Sequence, residues 1–206
     1  MEDKTFSFST FSEHAAEGIF QSLIECNPNK KPSIFICIGS DLVLGDSLGP
    51  LIGTMLKNSG INSYVYGTLN YPITAKEVSC ARTHLKQMHP NAISIAIDAA
   101  VGNPDDVGLV RVINKGLMPG LGVEKNLGSV GDISIIGVVA SKSLQNYNLF
   151  NMTRLNLIFK MAEKISLGIL KYSSYLENSL ENGIKPPLFN NNVILSGVNK
   201  NGCQSL

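Results

Sequence analysis

The stretch I-F-I-C-I-G-S-D-L-V-L-G-D-S-L-G-P-L-I-G, Ile34 to Gly53, decides the fold. Its first five residues are apolar without alternation, the pattern of a strand buried on both faces. Gly39-Ser40-Asp41 breaks the run. Pro50 then stands where the first turn of a helix tolerates it, and Leu51, Ile52, Met55 and Leu56 recur at helical spacing until Asn58-Ser59-Gly60. A buried strand feeding a loop and a helix opens a β–α unit, and such units assemble into parallel sheets. The loop between them carries two carboxylates, Asp41 and Asp46, at the carboxyl end of the strand, where open α/β sheets build their sites.

The flanking sequence repeats the alternation. Phe11, Ala15, Ile19, Leu23 and Ile24 predict a helix over 11–27, stopped by Asn27-Pro28-Asn29. Strands are predicted over 62–67, 92–97, 107–113 and 133–140, the second of these ending on Asp98. Thr74 and Glu77 form a capping box for a helix running to Met88, before His89-Pro90. Phe150, Leu157, Ile158, Met161, Ile165, Ile169 and Tyr172 predict one long helix over 147–177. The expected fold is a three-layer α/β/α sandwich with a mostly parallel central sheet. It forms a single domain over 1–180, followed by a loosely ordered tail over 181–206 that holds Pro186-Pro187 and Asn190-Asn191-Asn192.

Composition narrows the function. The 206 residues are 44% hydrophobic, enough for a substantial core, and the net charge of +1 gives no basic face for nucleic acid or an anionic membrane. No apolar run approaches the roughly 20 residues of a membrane span, and the first ten residues lack the apolar stretch of a signal peptide. Cys26, Cys37, Cys80 and Cys203 form no C-x-x-C pair, so a structural zinc site is not indicated and a reducing, cytoplasmic compartment is expected. His14, His84 and His89 lie on helices or at the wrong end of the sheet to serve a nucleophile. There is no phosphate loop, no H-E-x-x-H and no dinucleotide fingerprint.

The carboxylates remain. If the strand ending at Gly39 neighbours the strand ending at Asp98, with helices leaving on opposite faces, Asp46 and Asp98 flank one crevice and can polarise a water together or through a shared metal. A helix N-terminus favours ionised Asp46, whereas burial favours protonated Asp98, the split that lets one carboxylate act as base and the other as acid. The competing reading makes Asp46 a first-turn helix acid and Asp41 a turn residue, like Asp105 and Asp106. Asp132, at the mouth of the strand over 133–140, is either a third member of the cluster or a strand-start residue. The loop from Asn114 to Gly131, with Gly116, Gly120, Gly122, Gly128 and Gly131, is long for a compact domain and is expected to form a wall of the cleft. Gly120, Gly122 and Ser40 are its expected substrate-binding positions, together with Asp132.

Four segments carry a family resemblance: I-C-I-G-S-D-L-V-L-G-D-S-L-G-P (36–50), Y-G-T-L-N-Y-P-I-T-A (66–75), I-A-I-D-A-A-V-G (95–102) and P-G-L-G-V-E-K-N-L-G-S-V-G-D-I-S-I-I-G-V-V (119–139). In this order they resemble the YyaC-type sporulation proteins of spore-forming Firmicutes, over about residues 15 to 175. That family is similar to the spore germination protease, an aspartic-type endopeptidase, and more distantly to the hydrogenase maturation endopeptidases. The resemblance implies the fold of the latter, phosphorylase/hydrolase-like. It also implies catalytic roles for Asp46, in L-G-D-S-L-G-P, and Asp98, in A-I-D-A. It selects Asp46 over Asp41. In the hydrogenase endopeptidases these two points hold a metal with a later His; no His follows residue 89 here.

The expected function is therefore a sporulation-associated endopeptidase of the forespore or spore core, using Asp46 and Asp98 on a protein or peptide substrate such as small acid-soluble spore proteins. A divalent metal at Asp46 and Asp98 and a homo-oligomer stay open, with no cofactor otherwise required. The alternative is a non-catalytic binding or assembly protein that keeps the protease fold.

Overall fold

The computed structural model describes residues 4–118, 129–141 and 153–181. Ser33–Cys37 forms strand β2, buried at every position. The remaining strands are β1 (Thr5–Ser9), β3 (Tyr64–Tyr66), β4 (Ile93–Gly102), β5 (Leu109–Ile113) and β6 (Ile133–Ser141). The helices are α1 (Ala15–Cys26), α2 (Leu48–Asn58), α3 (Val78–Met88) and α4 (Leu155–Glu181). One mixed sheet has the order β1-β5-β6-β4-β2-β3. β3, β2, β4 and β6 run parallel, while β5 is antiparallel to both its neighbours, β1 and β6.

The connections explain the layers. From β2 through α2 the chain steps outward to β3, and from β3 through α3 it steps back across β2 to β4. Two crossovers in opposite directions, with one right-handed sense, place their helices on opposite faces. The apolar contacts agree. Ile52 and Leu56 of α2 join Ile19 and Leu23 of α1 and Ile158, Met161 and Ile165 of α4 on the face that shows Phe35, Cys37, Ile95 and Ile97. Val78, Ala81 and Leu85 of α3 cover Ile34, Ile36, Ile38 and Ala96 on the other. Each fully buried Leu, Ile or Phe contributes roughly 1.5–3 kcal/mol through removal of its surface from water.

The differences from the sequence reading have local causes. β1 is an edge strand absent from the predicted elements; its Thr-Phe-Ser-Phe-Ser alternation turns Phe6 and Phe8 inward. Asp98 does not close its strand: β4 runs on to Gly102 because its ladder with β6 continues past Asp98–Ile136 to Gly102–Ser141. β4 then passes through a short 3-10 turn, Pro104–Asp106, into β5 rather than into a helix. The Thr74–Glu77 box forms one turn before α3, the Glu77 carboxylate accepting from both the Thr74 backbone N–H and hydroxyl. The expected start of the last helix at 147 and the tail over 182–206 lie outside the described residues.

Helix α4 is anchored at its far end by Tyr172, fully buried, whose hydroxyl accepts from Asn27 Nδ2 at 2.7 Å and lies 2.9 Å from Ser33 Oγ. Tyr172→Phe leaves two buried polar groups one partner short. Stability is expected to fall by about 1–2 kcal/mol, read from urea midpoints; an unchanged midpoint would show that the pair re-forms its bonds elsewhere.

Candidate active site

Asp46 lies in the 3-10 turn Leu44–Ser47 that leads into α2. That turn is held against the end of β2 by main chain meeting main chain. The Ser40 N–H donates to the Asp46 carbonyl at 3.1 Å and the Gly39 N–H to the Ile73 carbonyl at 2.9 Å. A Cβ on Gly39, at φ +141°, would stand 2.0 Å from the Asp46 carbonyl oxygen, and one on Gly49 would stand 2.0 Å from the Ile38 carbonyl oxygen. Only glycine lets the start of α2 sit this close to the strand.

Asp98 comes from the neighbouring strand. Cys37 pairs with Ile97, and the Ile38 N–H donates to the Ile97 carbonyl at 2.8 Å, so Asp98 stands beside the point where β2 gives way to its loop. Ile95 and Ile97 face α2 while Ala96 faces α3, so strand alternation gives Asp98 the α3 face. One of its oxygens, Oδ1, accepts from the Ala99 N–H at 2.8 Å.

The two carboxylates are electrostatically coupled. Burial, then the Asp46 charge, pushes Asp98 up to about 8, and the Ala99 N–H only partly opposes this. Asp98 nevertheless retains some solvent contact. Asp46 is also raised, by burial, against the Ser40 backbone N–H that favours its charged form. The sequence argument gave Asp46 a helix terminus that favours ionisation; burial outweighs it. The asymmetry survives, because Asp98 is the more heavily desolvated and carries the Asp46 charge as a second cause. Of the two, Asp98 holds its proton the more tightly.

Ser40 stands next to this pair: besides its N–H, its Oγ accepts from the Leu42 N–H at 3.3 Å. Asp41 is exposed in the loop. Asp106 is paired with Arg111 at 2.6 Å. Asp132 is not brought to the site. Its carboxylate accepts from the Ser94 N–H at 2.8 Å and the Ser94 Oγ at 2.7 Å, at the start of β4. Four residues of extended strand separate Ser94 from Asp98, about 13 Å. The glycine-rich loop likewise enters from that opposite edge of the sheet, because β5 descends antiparallel to β6. Its described ends are tied there by the Leu117–Val130 bridge. Gly120 and Gly122 lie outside the described residues. His89 bonds the Tyr66 hydroxyl at 2.7 Å, near the C-terminal end of α3. Buried Cys37 and Cys26 have thiols that burial holds protonated, Cys26 up to about 11.

A catalytic zinc takes three protein ligands. Among the described residues no group of three His, Cys, Asp or Glu side chains is placed to hold a metal ion. Asp46 and Asp98 alone do not fit such a zinc centre. Among the same residues no helix is long and apolar enough to cross a membrane.

One part of the rim carried a motif but no assigned residue. Gly67 to Ile73 follows β3 and lies along the end of β2, where Ile73 pairs with Ile38. Its signal in the sequence is a Gly-Thr-Leu-Asn-Tyr-Pro turn directly after a strand.

Comparison with known proteins supplies a family. The profile of the family described as "Protein of unknown function (DUF1256)" matches residues 8–168. The chain belongs to that family. It is also similar to the "Uncharacterized protein YyaC" of Bacillus subtilis (strain 168), at 34% identity over 172 residues, covering 82% of this chain and 84% of the relative. The match supports the YyaC-type resemblance. Asp46, Asp98 and the loop between β3 and α3 all fall inside the span assigned to the DUF1256 family.

Proposed function

We propose that this DUF1256 protein is an endopeptidase that uses Asp46 and Asp98 to hydrolyse a peptide bond without a covalent intermediate, within sporulating cells. One observation carries the reading: two electrostatically coupled carboxylates stand at the carboxyl edge of the parallel strands, and burial raises both proton affinities, that of Asp98 the further. Ionised Asp46 takes a proton from water as its oxygen attacks the scissile carbonyl carbon. Protonated Asp98 donates to the carbonyl oxygen, giving a gem-diol; as the C–N bond breaks, Asp46 passes the proton it took from water to the amide nitrogen, and a gem-diol hydroxyl returns a proton to Asp98 as the carboxyl product forms. The substrate class, a polypeptide such as a small acid-soluble spore protein, and the location in the forespore rest on the likeness to the germination protease.

The experiment is cleavage of small acid-soluble spore proteins and a random peptide library by purified wild type, Asp46→Asn and Asp98→Asn. Products from wild type alone support the pair; products from all three would discard it. Where cleavage occurs, the pH profile of kcat/KM is expected to be bell-shaped. Its alkaline limb lies near pH 8, where Asp98 loses its proton. Its acid limb lies above the ordinary carboxylate range, because Asp46 is raised too. These limbs belong to the coupled pair rather than to either residue alone. A flat profile from pH 5 to pH 9, roughly the span these shifts cover, would contradict the assignment.

A further inference from the structure

Three large apolar side chains around the site are left in water: Leu42 is 88% exposed, Tyr71 73% and Leu69 36%. They belong to the two loops that meet at the end of β2. Leu42 is tied to Ser40, whose N–H holds the Asp46 carbonyl. Tyr71 lies two residues before Ile73, whose carbonyl receives the Gly39 N–H at 2.9 Å.

These side chains are displayed by ordered turns rather than by slack chain. The Thr68 N–H donates to the Tyr71 carbonyl at 3.0 Å and the Tyr71 N–H returns a bond to the Thr68 carbonyl at 3.1 Å. The Leu69 N–H donates to Thr54 Oγ1 on α2 at 2.9 Å. A turn this fully bonded keeps Leu69 and Tyr71 pointing away from the core, where they contribute nothing to folding. Apolar groups held in water beside a polar site are what a ligand's apolar groups cover on binding.

We propose that Leu42, Leu69 and Tyr71 form the specificity rim of this site, gripping apolar side chains of an extended polypeptide substrate on either side of the bond presented to Asp46 and Asp98. The inference rests on the endopeptidase reading, which supplies the extended polypeptide as the occupant. Its placement follows from continuity with the carboxylate pair: a chain lying across the two loops passes over the pair with its main chain, and its alternate side chains fall to the rim.

The test separates the two ideas. Two fluorescein-labelled peptides of equal length are compared, one with Leu-Phe at its centre and one with Ser-Ser, the flanking residues being identical. Binding is measured by anisotropy on Asp98→Asn, and on Asp98→Asn carrying Leu42→Ser and Tyr71→Ser. Leu155→Ser on the exposed side of α4 serves as a control, and thermal melts show that each variant folds. The Leu-Phe peptide is expected to bind at least tenfold tighter than the Ser-Ser peptide. That preference should fall to within about threefold in the rim variant and persist in the Leu155 control. Equal binding of the two peptides, or an undiminished preference in the rim variant, overturns the rim. Turnover by otherwise wild-type protein is scored separately: its absence overturns the hydrolase reading and leaves the binding result to decide the rim. Where turnover is present, the rim substitutions are expected to raise KM about tenfold with kcat nearly unchanged.

Discussion

Asp98→Asn is expected to lower turnover on the order of 10³-fold, the scale of a lost general acid, and at the same time to stabilise the fold at alkaline pH. The sign follows from the raised proton affinity of Asp98, pushed up to about 8 in the folded chain against about 3.9 when unfolded. Below the unfolded value both states hold the proton and Asp98 is neutral in its effect. As pH rises from about 4 to about 8, the unfolded chain ionises while the folded chain keeps its proton, so stability falls across that window and levels off above it. An asparagine does not titrate, and its Oδ1 can still accept from the Ala99 N–H. Allowing for the solvent contact that Asp98 retains, the gain at pH 8 is on the order of 2 kcal/mol, or a Tm higher by about 4–8 °C, with no gain at pH 4. Melts of wild type and Asp98→Asn at both pH values decide the matter. An equal Tm difference at the two values, or a lower Tm for the variant at pH 8, would remove the electrostatic argument. A site that weakens its own fold where it must work is the usual relation between activity and stability.

Gly39→Ala is expected to be among the most damaging single-atom additions in the chain. The new methyl would stand 2.0 Å from the Asp46 carbonyl oxygen and 3.1 Å from Pro50 Cδ, on a backbone at φ +141°. Neither neighbour is a flexible side-chain end, so either the 3-10 turn bearing Asp46 or the end of β2 must shift. The expected loss is about 3 kcal/mol or more, together with activity, since the turn that moves holds the proposed base. Gly60→Ala is the matched control: φ is +68° but nothing lies within 4 Å, so only backbone strain of about 1 kcal/mol remains. Urea midpoints compare the two. A Gly39→Ala protein as stable as Gly60→Ala would mean that the strand end yields freely and does not position Asp46.

Much of this architecture could be read along the chain because its strands are short apolar runs and its helices keep a 3.6-residue stripe. The Ile34–Gly53 unit and the burial of Cys37 follow from that patterning, whereas the adjacency of the strands next to the two aspartates was only a condition there and comes from the sheet order. β1 was harder to see: five residues with two phenylalanines make a weak period, and the strand exists because β5 offers it an edge. The length of β4 was hidden for a similar reason, since a strand ends where its neighbour ends and not where its apolar run does. For the site, residue type and position nominated Asp46 and Asp98, and the family resemblance preferred Asp46 to Asp41. They misjudged Asp46's proton affinity, because burial by residues far along the chain is not written locally. Asp132 reads the same as Asp98 in sequence, a carboxylate beside an apolar run. Only strand direction tells them apart: one begins its strand and the other is carried far along it.

The clamp on Asp46 has a consequence for how such a protein can change. Asp46 is held through the Ser40 N–H bond to its own carbonyl, the Gly39 N–H bond to the Ile73 carbonyl and the close approach of Gly49 to the Ile38 carbonyl, none of which depends on what side chains the loop displays. Chemistry and taste are therefore written in separate alphabets, one in backbone and glycine, the other in the side chains of residues 41–43 and 69–71. Under the proposed endopeptidase function, lineages could rewrite the second while leaving the first untouched, and one inherited frame would serve polypeptides of quite different sequence.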